Sequence, residues 1–174
     1  MIGTQHTVAL LTSARTQGAP DLSLVMAAKG LGKELALHQM LVYVTADDKA
    51  VRYVSEGAGT ARLPLIEFSP ALHTEEHAQL YGAHGQWVTG SVCTGLAGPG
   101  YLRSMLHSVR LVIFLGEYQA LAEAVDLVAN GTTLLVITED IRRDVSAALE
   151  EFLTGRDIVL IVAESLPTAI RNMI

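Results

Sequence analysis

Short apolar segments rich in β-branched residues alternate along this chain with longer segments whose apolar residues recur every three or four positions. The short segments have the length and composition of strands buried in a sheet, and the longer ones have the spacing of helices with one buried face. The predicted strands are residues 7–12, 40–44, 63–68, 87–92, 110–115, 132–137 and 157–162. The predicted helices are residues 21–38, 47–57, 100–108, 118–129, 140–153 and 164–173.

The order of these elements predicts the fold class. Strands of five or six residues that alternate with helices favour a parallel sheet covered by helices on both faces. In the helix predicted over residues 21–38, Asp21 or Ser23 can serve as the N-cap, because either side chain can accept a hydrogen bond from the first turn. We therefore expect an α/β fold, a single Rossmann-like domain over residues 1–174 with a doubly wound parallel sheet of about seven strands.

Composition narrows the class of protein. Half of the 174 residues are hydrophobic and 17% are charged, which argues against disorder. No apolar run reaches the roughly 18–20 residues of a membrane span, and no secretory signal is recognisable. The single Cys93 cannot form an internal disulfide, which favours a reducing cytoplasm. A net charge of −6 and scattered basic residues disfavour binding to nucleic acid or to an anionic membrane.

Residues 109–123, VRLVIFLGEYQALAE, are the most informative stretch. An apolar strand runs into a tight turn at Gly116, and a helix that carries Glu123 follows at once. Ligands of parallel α/β sheets gather where strand carboxyl ends meet helix amino termini. The free N–H groups and the helix dipole at such a place attract phosphate.

This stretch resembles the phosphate-binding signature of the LOG-type ("lysine decarboxylase-like") nucleotide phosphoribohydrolases of the SLOG superfamily, which reads roughly aDaxIaLPGGxGTxxE. Aligned without gaps, Leu115 takes the Pro place and Glu123 the Glu place. Gly116-Glu117 takes the place of the paired glycines, and Gln119-Ala120 that of Gly-Thr.

The resemblance covers roughly residues 7 to 138. A first strand ending in Gly-Ser corresponds to one ending in Thr12-Ser13, and the strand LVYGGG corresponds to LVYVTA at 41–46. The helix pattern A-x-x-LG-x-x-LA is matched by AAKGLGKELA at 27–36, and a strand leading to Pro by LIEFSP at 65–70. Thr94-Gly95 echoes the Thr-Gly that precedes the catalytic helix in a subgroup of the family.

The departures fall on the positions that contact phosphate. A Gly-Gly turn lets backbone approach a phosphate because no Cβ obstructs it, and Val44-Thr45 and Gly116-Glu117 replace two such turns. Glu117 also places a negative charge where the family accepts the phosphate. Repulsion at about 4 Å is enough to weaken a nucleotide monophosphate by about one to three orders of magnitude.

The family's catalytic pair is an Arg at the start of one helix and the Glu of the signature, so the resemblance implies Glu123 and, less directly, Arg103. The Arg place itself falls on Gly100, and Arg103 lies three residues later, nearly one helical turn away. A Glu in the first turns of a helix also favours the helix dipole without any catalysis.

Two further patterns carry candidate chemistry. Residues 73–77, HTEEH, match the inverted zinc-protease motif H-x-x-E-H, in which His73 and His77 would bind Zn and Glu76 would act as general base; the alternative is a solvated polar helix. Residues 95–100, GLAGPG, lack the Lys-Ser/Thr of a P-loop, so they are either a ligand-facing turn or a flexible loop that needs small residues.

The sequence supports a divergent LOG-like protein that does not hydrolyse its ligand. It would bind a nucleotide or a related small ligand at the strand carboxyl ends, or serve as a structural dimer subunit. The alternative functions are N-glycosidic hydrolysis with altered specificity and, more remotely, the zinc hydrolase. No cofactor is implied. The expected ligand-binding residues, beside Arg103 and Glu123, are Thr12, Ser13, Thr45, Gly95, Gly98, Gly100, Gly116 and Glu117.

A homodimer is implied by the same resemblance, because LOG-type proteins pair with their active-site helices near the two-fold axis. The helices at 101–109 and 118–129 are apolar over a wide arc, which indicates either a partner subunit or full burial within one chain.

Overall fold

The computed structural model describes residues 6–15, 19–82, 85–116, 121, 125–137 and 155–163. Its seven strands form one parallel sheet in the order β4-β3-β2-β1-β5-β6-β7. This confirms the predicted α/β class and the number of strands. The strands are β1 Thr7–Thr12, β2 Leu41–Thr45, β3 Leu65–Ser69, β4 Gly90–Cys93, β5 Leu111–Leu115, β6 Thr132–Ile137 and β7 Ile158–Ala163.

Four α-helices have described bounds: α1 Leu22–Leu37, α2 Val51–Ala58, α3 Thr74–Tyr81 and α4 Gly100–Leu106. Short 3-10 helices follow β1 at Ser13–Arg15 and α2 at Gly59–Ala61. The helices expected at 140–153 and 164–173 lie outside the described residues, as does most of the helix expected at 118–129. No helix within the described ranges is long and apolar enough to cross a membrane.

Local capping explains where the helices begin. Asp21 is the N-cap of α1, and its Oδ1 accepts a hydrogen bond from the Leu24 N–H at 2.8 Å. Helix α2 begins at Val51 rather than at residue 47, because residues 46–50 form a turn in which Asp48 bonds the Ala50 N–H at 2.9 Å. Strand β4 is shorter than predicted, since residues 85–87 form a turn.

The two faces of the sheet have separate apolar cores. Alternating side chains of β1 illustrate the division: Val8 and Leu10 pack with α1 and α2, whereas Ala9 and Leu11 pack with α4. All four side chains are almost completely buried. The helices that follow β1 and β2 therefore cover one face, and the helix that leads into β5 covers the other.

Two glycines let α1 and α2 pack backbone against backbone. A Cβ built on Gly32 would collide with the carbonyl oxygen of Val54, and one on Gly57 would collide with the carbonyl oxygen of Lys29. Because each glycine has no side chain, the backbone of the other helix can occupy the space where a Cβ would lie. Gly30, also in α1, has no atom of another element near its missing Cβ.

We predict opposite effects for two equivalent substitutions in α1. Gly32→Ala should lower the free energy of unfolding by about 1–3 kcal/mol, because the added methyl group forces the helices apart. Gly30→Ala should raise it by about 0.5–1 kcal/mol, because alanine has the higher helix propensity and meets no neighbour. Urea unfolding of both variants measures the difference, and equal effects would contradict the backbone contact.

Candidate functional site

The strands β1 and β5 are parallel neighbours in the centre of the sheet, and the direction in which successive strands are added to the sheet reverses between them. From β1 the chain continues towards β2 and β3, and from β5 it continues towards β6 and β7. In doubly wound folds the crevice at such a reversal, outside the strand carboxyl ends, is where ligands bind. Thr12 and Ser13 lie at the end of β1, and Gly116 follows β5; Thr12 is the register partner of Leu115.

Gly116 and Ser13 touch at this reversal. Gly116 has a φ of 133°, and a Cβ there would collide with the Ser13 Oγ. The Gly116 N–H donates to the Ile137 carbonyl oxygen at 3.2 Å. Glycine is therefore required at position 116 both by its backbone conformation and by the neighbouring hydroxyl. The structure brings Thr12, Ser13 and Gly116 together.

A buried carboxylate that the sequence analysis missed holds the end of β1. Asp48 Oδ2 accepts the Thr12 N–H at 3.0 Å, and Asp48 Oδ1 accepts the Thr12 hydroxyl at 2.8 Å and the Ala50 N–H at 2.9 Å. Asp48 is only 1% exposed. These are the kinds of donor that bind phosphate at strand ends, and here a side chain of the protein already occupies them.

Burial controls the protonation of this carboxyl. It raises the pKa of Asp48 from 3.8 to about 6, against the opposing effect of hydrogen bonds from Ala50 and Thr12; the charge of Asp47 adds to the increase. The adjacent Asp47 has a different role, because its Oδ2 accepts the Tyr101 hydroxyl at 2.9 Å. That bond places the first turn of α4 beside the end of β2.

Thr45, the last residue of β2, is fully buried. Its Oγ1 has no hydrogen-bond partner among the described residues. Strand β2 is next to β1, so Thr45 is one strand away from Thr12. Its side chain lies inside the protein rather than on an open surface. Val44 and Thr45, which stand where the LOG-type pattern that the sequence resembles has glycines, are both packed in the interior.

The glycine-containing loop lies farther from the reversal. Gly95 and Gly98 are exposed and have positive φ values of 66° and 58°. The Gly95 N–H donates to the Ala71 carbonyl oxygen at 2.9 Å, and the Gly100 N–H donates to the Ala97 carbonyl oxygen at 3.2 Å. Because the loop follows β4, three strands from β1, its start is about 14 Å from the end of β1.

Of the two predicted catalytic residues, only Arg103 lies within the described part of the chain. Arg103 is exposed on α4, and its guanidinium has no acidic partner in the described part of the chain. Glu123 lies outside the described residues, as does the ligand-binding candidate Glu117. Their roles remain predictions.

The H-x-x-E-H segment does not form a zinc site. His73 precedes α3 as its N-cap, with its Nδ1 accepting the Glu76 N–H at 3.3 Å. His77 is buried, with Nε2 2.7 Å from Glu67 Oε1 and Nδ1 2.9 Å from Ser69 Oγ. Both ring nitrogens of His77 thus bind the sheet, and no group of three metal-ligating side chains occurs in the described ranges.

The zinc hypothesis is wrong because the pattern assumes that both histidines lie within one helix, whereas His73 is an extended cap outside it. Glu75 is exposed, as the alternative of a solvated polar helix predicts, whereas His77 is buried, which that alternative does not predict. Glu67 and Ser69, two residues apart on β3, share a face of the sheet and so meet one imidazole.

The described apolar residues of the regions proposed for dimerisation are buried within one chain. Tyr101, Leu102, Met105 and Leu106 of α4 belong to the same core as Leu121 and Val125. This packing accounts for the apolar side of α4 without a partner subunit.

Comparisons with known proteins identify relatives by fold. No protein-family model matches the chain, and no curated protein is significantly similar in sequence. The X-ray structure of TM1055, a structural genomics target, superposes with a TM-score of 0.72 at 16% identity and covers 97% of this chain and 98% of its own. The molybdenum cofactor carrier protein from Chlamydomonas reinhardtii superposes with a TM-score of 0.66 at 12% identity, covering 97% and 96%.

A more distant neighbour is the DNA processing protein A of Streptococcus pneumoniae, with a TM-score of 0.54 at 12% identity; it is matched over 90% of this chain and 58% of its own. The chain has the fold of these proteins. It is the Rossmann-like α/β fold with a parallel sheet that the sequence predicts. At these identities the likeness concerns the fold alone.

We predict that Asp48 makes stability depend on pH with a defined sign. The folded state holds the Asp48 proton up to about pH 6, whereas the unfolded state releases it near 3.8. The contribution of Asp48 to stability is therefore largest below about pH 4 and is lost as the pH rises to about 6. Between these limits, the free energy of unfolding of the wild type minus that of Asp48→Asn should fall by roughly 3 kcal/mol.

Urea unfolding of both proteins at pH 4, 5, 6 and 7 measures this difference. The subtraction removes the titration of the other carboxylates, which the two proteins share. A difference that stays constant or rises with pH would show that the three hydrogen bonds keep the Asp48 carboxyl charged throughout.

Proposed function

We propose that this protein binds a nucleoside-like or related small ligand at the carboxyl ends of β1 and β5 without cleaving it. The observation that carries the proposal is the Asp48 carboxylate, which occupies the donors at the end of β1 while the central strand reversal is retained. The fold thus keeps the usual location of a ligand site but not the usual means of binding phosphate there.

The charge at this edge favours a ligand without a terminal phosphate. A phosphate would meet the Asp48 carboxylate instead of the Thr12 N–H, and Asp47 lies beside it. Glu117 stands in the place of a family glycine and is expected to add a further negative charge. Hydroxyl groups, such as those of a ribose, can donate hydrogen bonds to carboxylates where a phosphate would be repelled.

One of the fold neighbours supports the binding of a small molecule, because it is named a carrier of the molybdenum cofactor. Hydrolysis of an N-glycosidic bond would need Glu123, assisted by Arg103. Arg103 lies on the exposed surface of α4, and none of the described contacts favours a catalytic role for it.

We predict that adenosine binds at least as tightly as adenosine monophosphate, in contrast to a phosphate-binding site. Isothermal titration calorimetry with both compounds measures the order, and Ser13→Ala should weaken adenosine binding severalfold by removing a hydroxyl at the strand reversal. Ser91→Ala is the matched control, since Ser91 is exposed on the edge strand β4.

Release of adenine from either compound is followed by chromatography over the same period. No release above the buffer blank is expected. Tighter binding of the monophosphate would contradict the proposed site, and adenine release that disappears in Glu123→Gln would establish the glycosidase instead.

We also infer a homodimer, which the resemblance to LOG-type proteins implies. A two-fold contact through the helix region 101–109 would use its exposed side, including Arg103 and Ser104, because its apolar side is already packed against the sheet. Light scattering at micromolar concentration should give twice the chain mass of 18.6 kDa. A mass equal to one chain would exclude the dimer under these conditions.

A further inference from the structure

A cavity of about 310 Å³ opens at the edge of the sheet opposite to the proposed ligand site. It lies at the amino-terminal ends of β1, β5 and β6, on the face covered by α1. The strands have five or six residues, so the mouth of this cavity, at His6 and Arg110, is about 17–20 Å from the strand reversal at the carboxyl edge. Its volume is at the lower limit for a small-molecule site, which is roughly 300–1,000 Å³.

The floor of the cavity is apolar. Ile113 of β5 and Leu135 of β6 lie side by side in the sheet, Val8 of β1 lies beside Leu111 of β5, and Leu35 of α1 covers this face. The side chains of Val8, Leu35, Ile113 and Leu135 are at most 1% exposed, so they form the solid base beneath the cavity. The apolar surface that a ligand can reach belongs to Leu111, which is half-buried, and to Met40 at the edge. A ligand that enters would place an apolar portion against these two residues, and each methylene group removed from water favours binding.

The mouth of the cavity is polar and positively charged. His6 and Arg110 are exposed there, and Thr7 and Thr133 are half-buried beside them. The Arg110 carbonyl oxygen accepts the Thr133 N–H at 2.8 Å, which fixes the Arg110 backbone at the start of β5.

The guanidinium of Arg110 is also held near the mouth. Its Nη1 lies 3.6 Å from the position of a Cβ on Gly131, just before β6. Among the described residues no acidic side chain pairs with it. A planar guanidinium without a partner, next to hydroxyl groups, is suited to bind a carboxylate through two parallel hydrogen bonds.

We propose that this cavity binds a small amphipathic carboxylate of medium chain length, with its chain on the apolar floor and its carboxylate at Arg110. The apolar floor disfavours small hydrophilic anions such as phosphate, and the charged mouth disfavours neutral hydrocarbons. The inference is independent of the proposed function, because it concerns the other edge of the sheet and none of the residues at the strand reversal.

The test uses octanoate as the probe, with butanoate and octanol for comparison. Calorimetry at about 0.15 M salt should show octanoate binding more tightly than butanoate, by about three- to fourfold for each methylene group that the cavity accommodates. Octanol should bind at least tenfold more weakly than octanoate, because it lacks the charge that Arg110 binds. Amide chemical shifts in solution should move at Thr7, Leu111 and Thr133.

Two substitutions of Arg110 distinguish the effect of its charge on binding from an effect on folding. Arg110→Met should weaken octanoate binding about tenfold or more, and Arg110→Lys should retain part of the affinity, since it keeps the charge but loses the bidentate geometry. Lys33→Met is the control: it removes one positive charge from the exposed side of α1, and octanoate affinity should not change.

The thermal midpoints of all three variants should equal that of the wild type, because both altered side chains are exposed. Absence of octanoate binding to the wild type, equal affinity in Arg110→Met, or shift changes confined to residues 12, 13 and 116 would each overturn the proposal.

Discussion

The carboxyl group of Asp48 connects the neighbouring strands β1 and β2 through side-chain hydrogen bonds, in addition to their backbone ladder and shared apolar core. It reaches from the turn after β2 to the N–H and hydroxyl of Thr12, and it also orders the turn before α2 through Ala50. The end of β1, the start of α2 and the central crevice are therefore positioned by one group. Removing it would leave buried donors without an acceptor, which costs about 1–3 kcal/mol for each unsatisfied group.

This arrangement gives a physical reason why the chain departs from the LOG-type signature that its sequence resembles. Glycine turns of that signature leave backbone N–H groups open to an incoming anion. Here the Asp48 carboxyl group accepts hydrogen bonds from these donors itself, and Val44-Thr45 contributes side chains to the interior. The fold is preserved because its core depends on apolar alternation in the strands, which does not involve the turn residues.

The sequence was sufficient to predict the sheet, but not to predict which side chains meet at the candidate site. The strand from Thr132 to Ile137 was predicted with the correct bounds, because an uninterrupted run of β-branched and leucine residues that follows a glycine has few other interpretations. Asp48 was not predicted as a site residue, since its partner Thr12 is 36 residues away and a solvated turn is the ordinary place for an aspartate. His77 was similarly misassigned, because the polar residues around it give no sign that it faces Glu67.

The backbone contact between α1 and α2 has a consequence for motion. Helices separated by side chains can slide as rotamers change, whereas Gly32 against Val54 and Gly57 against Lys29 leave no side chain to rearrange. The half of the sheet from β1 to β3 should therefore behave as one rigid body, with its amides among the slowest to exchange with solvent. Any opening of the central crevice would then have to come from the β5 side.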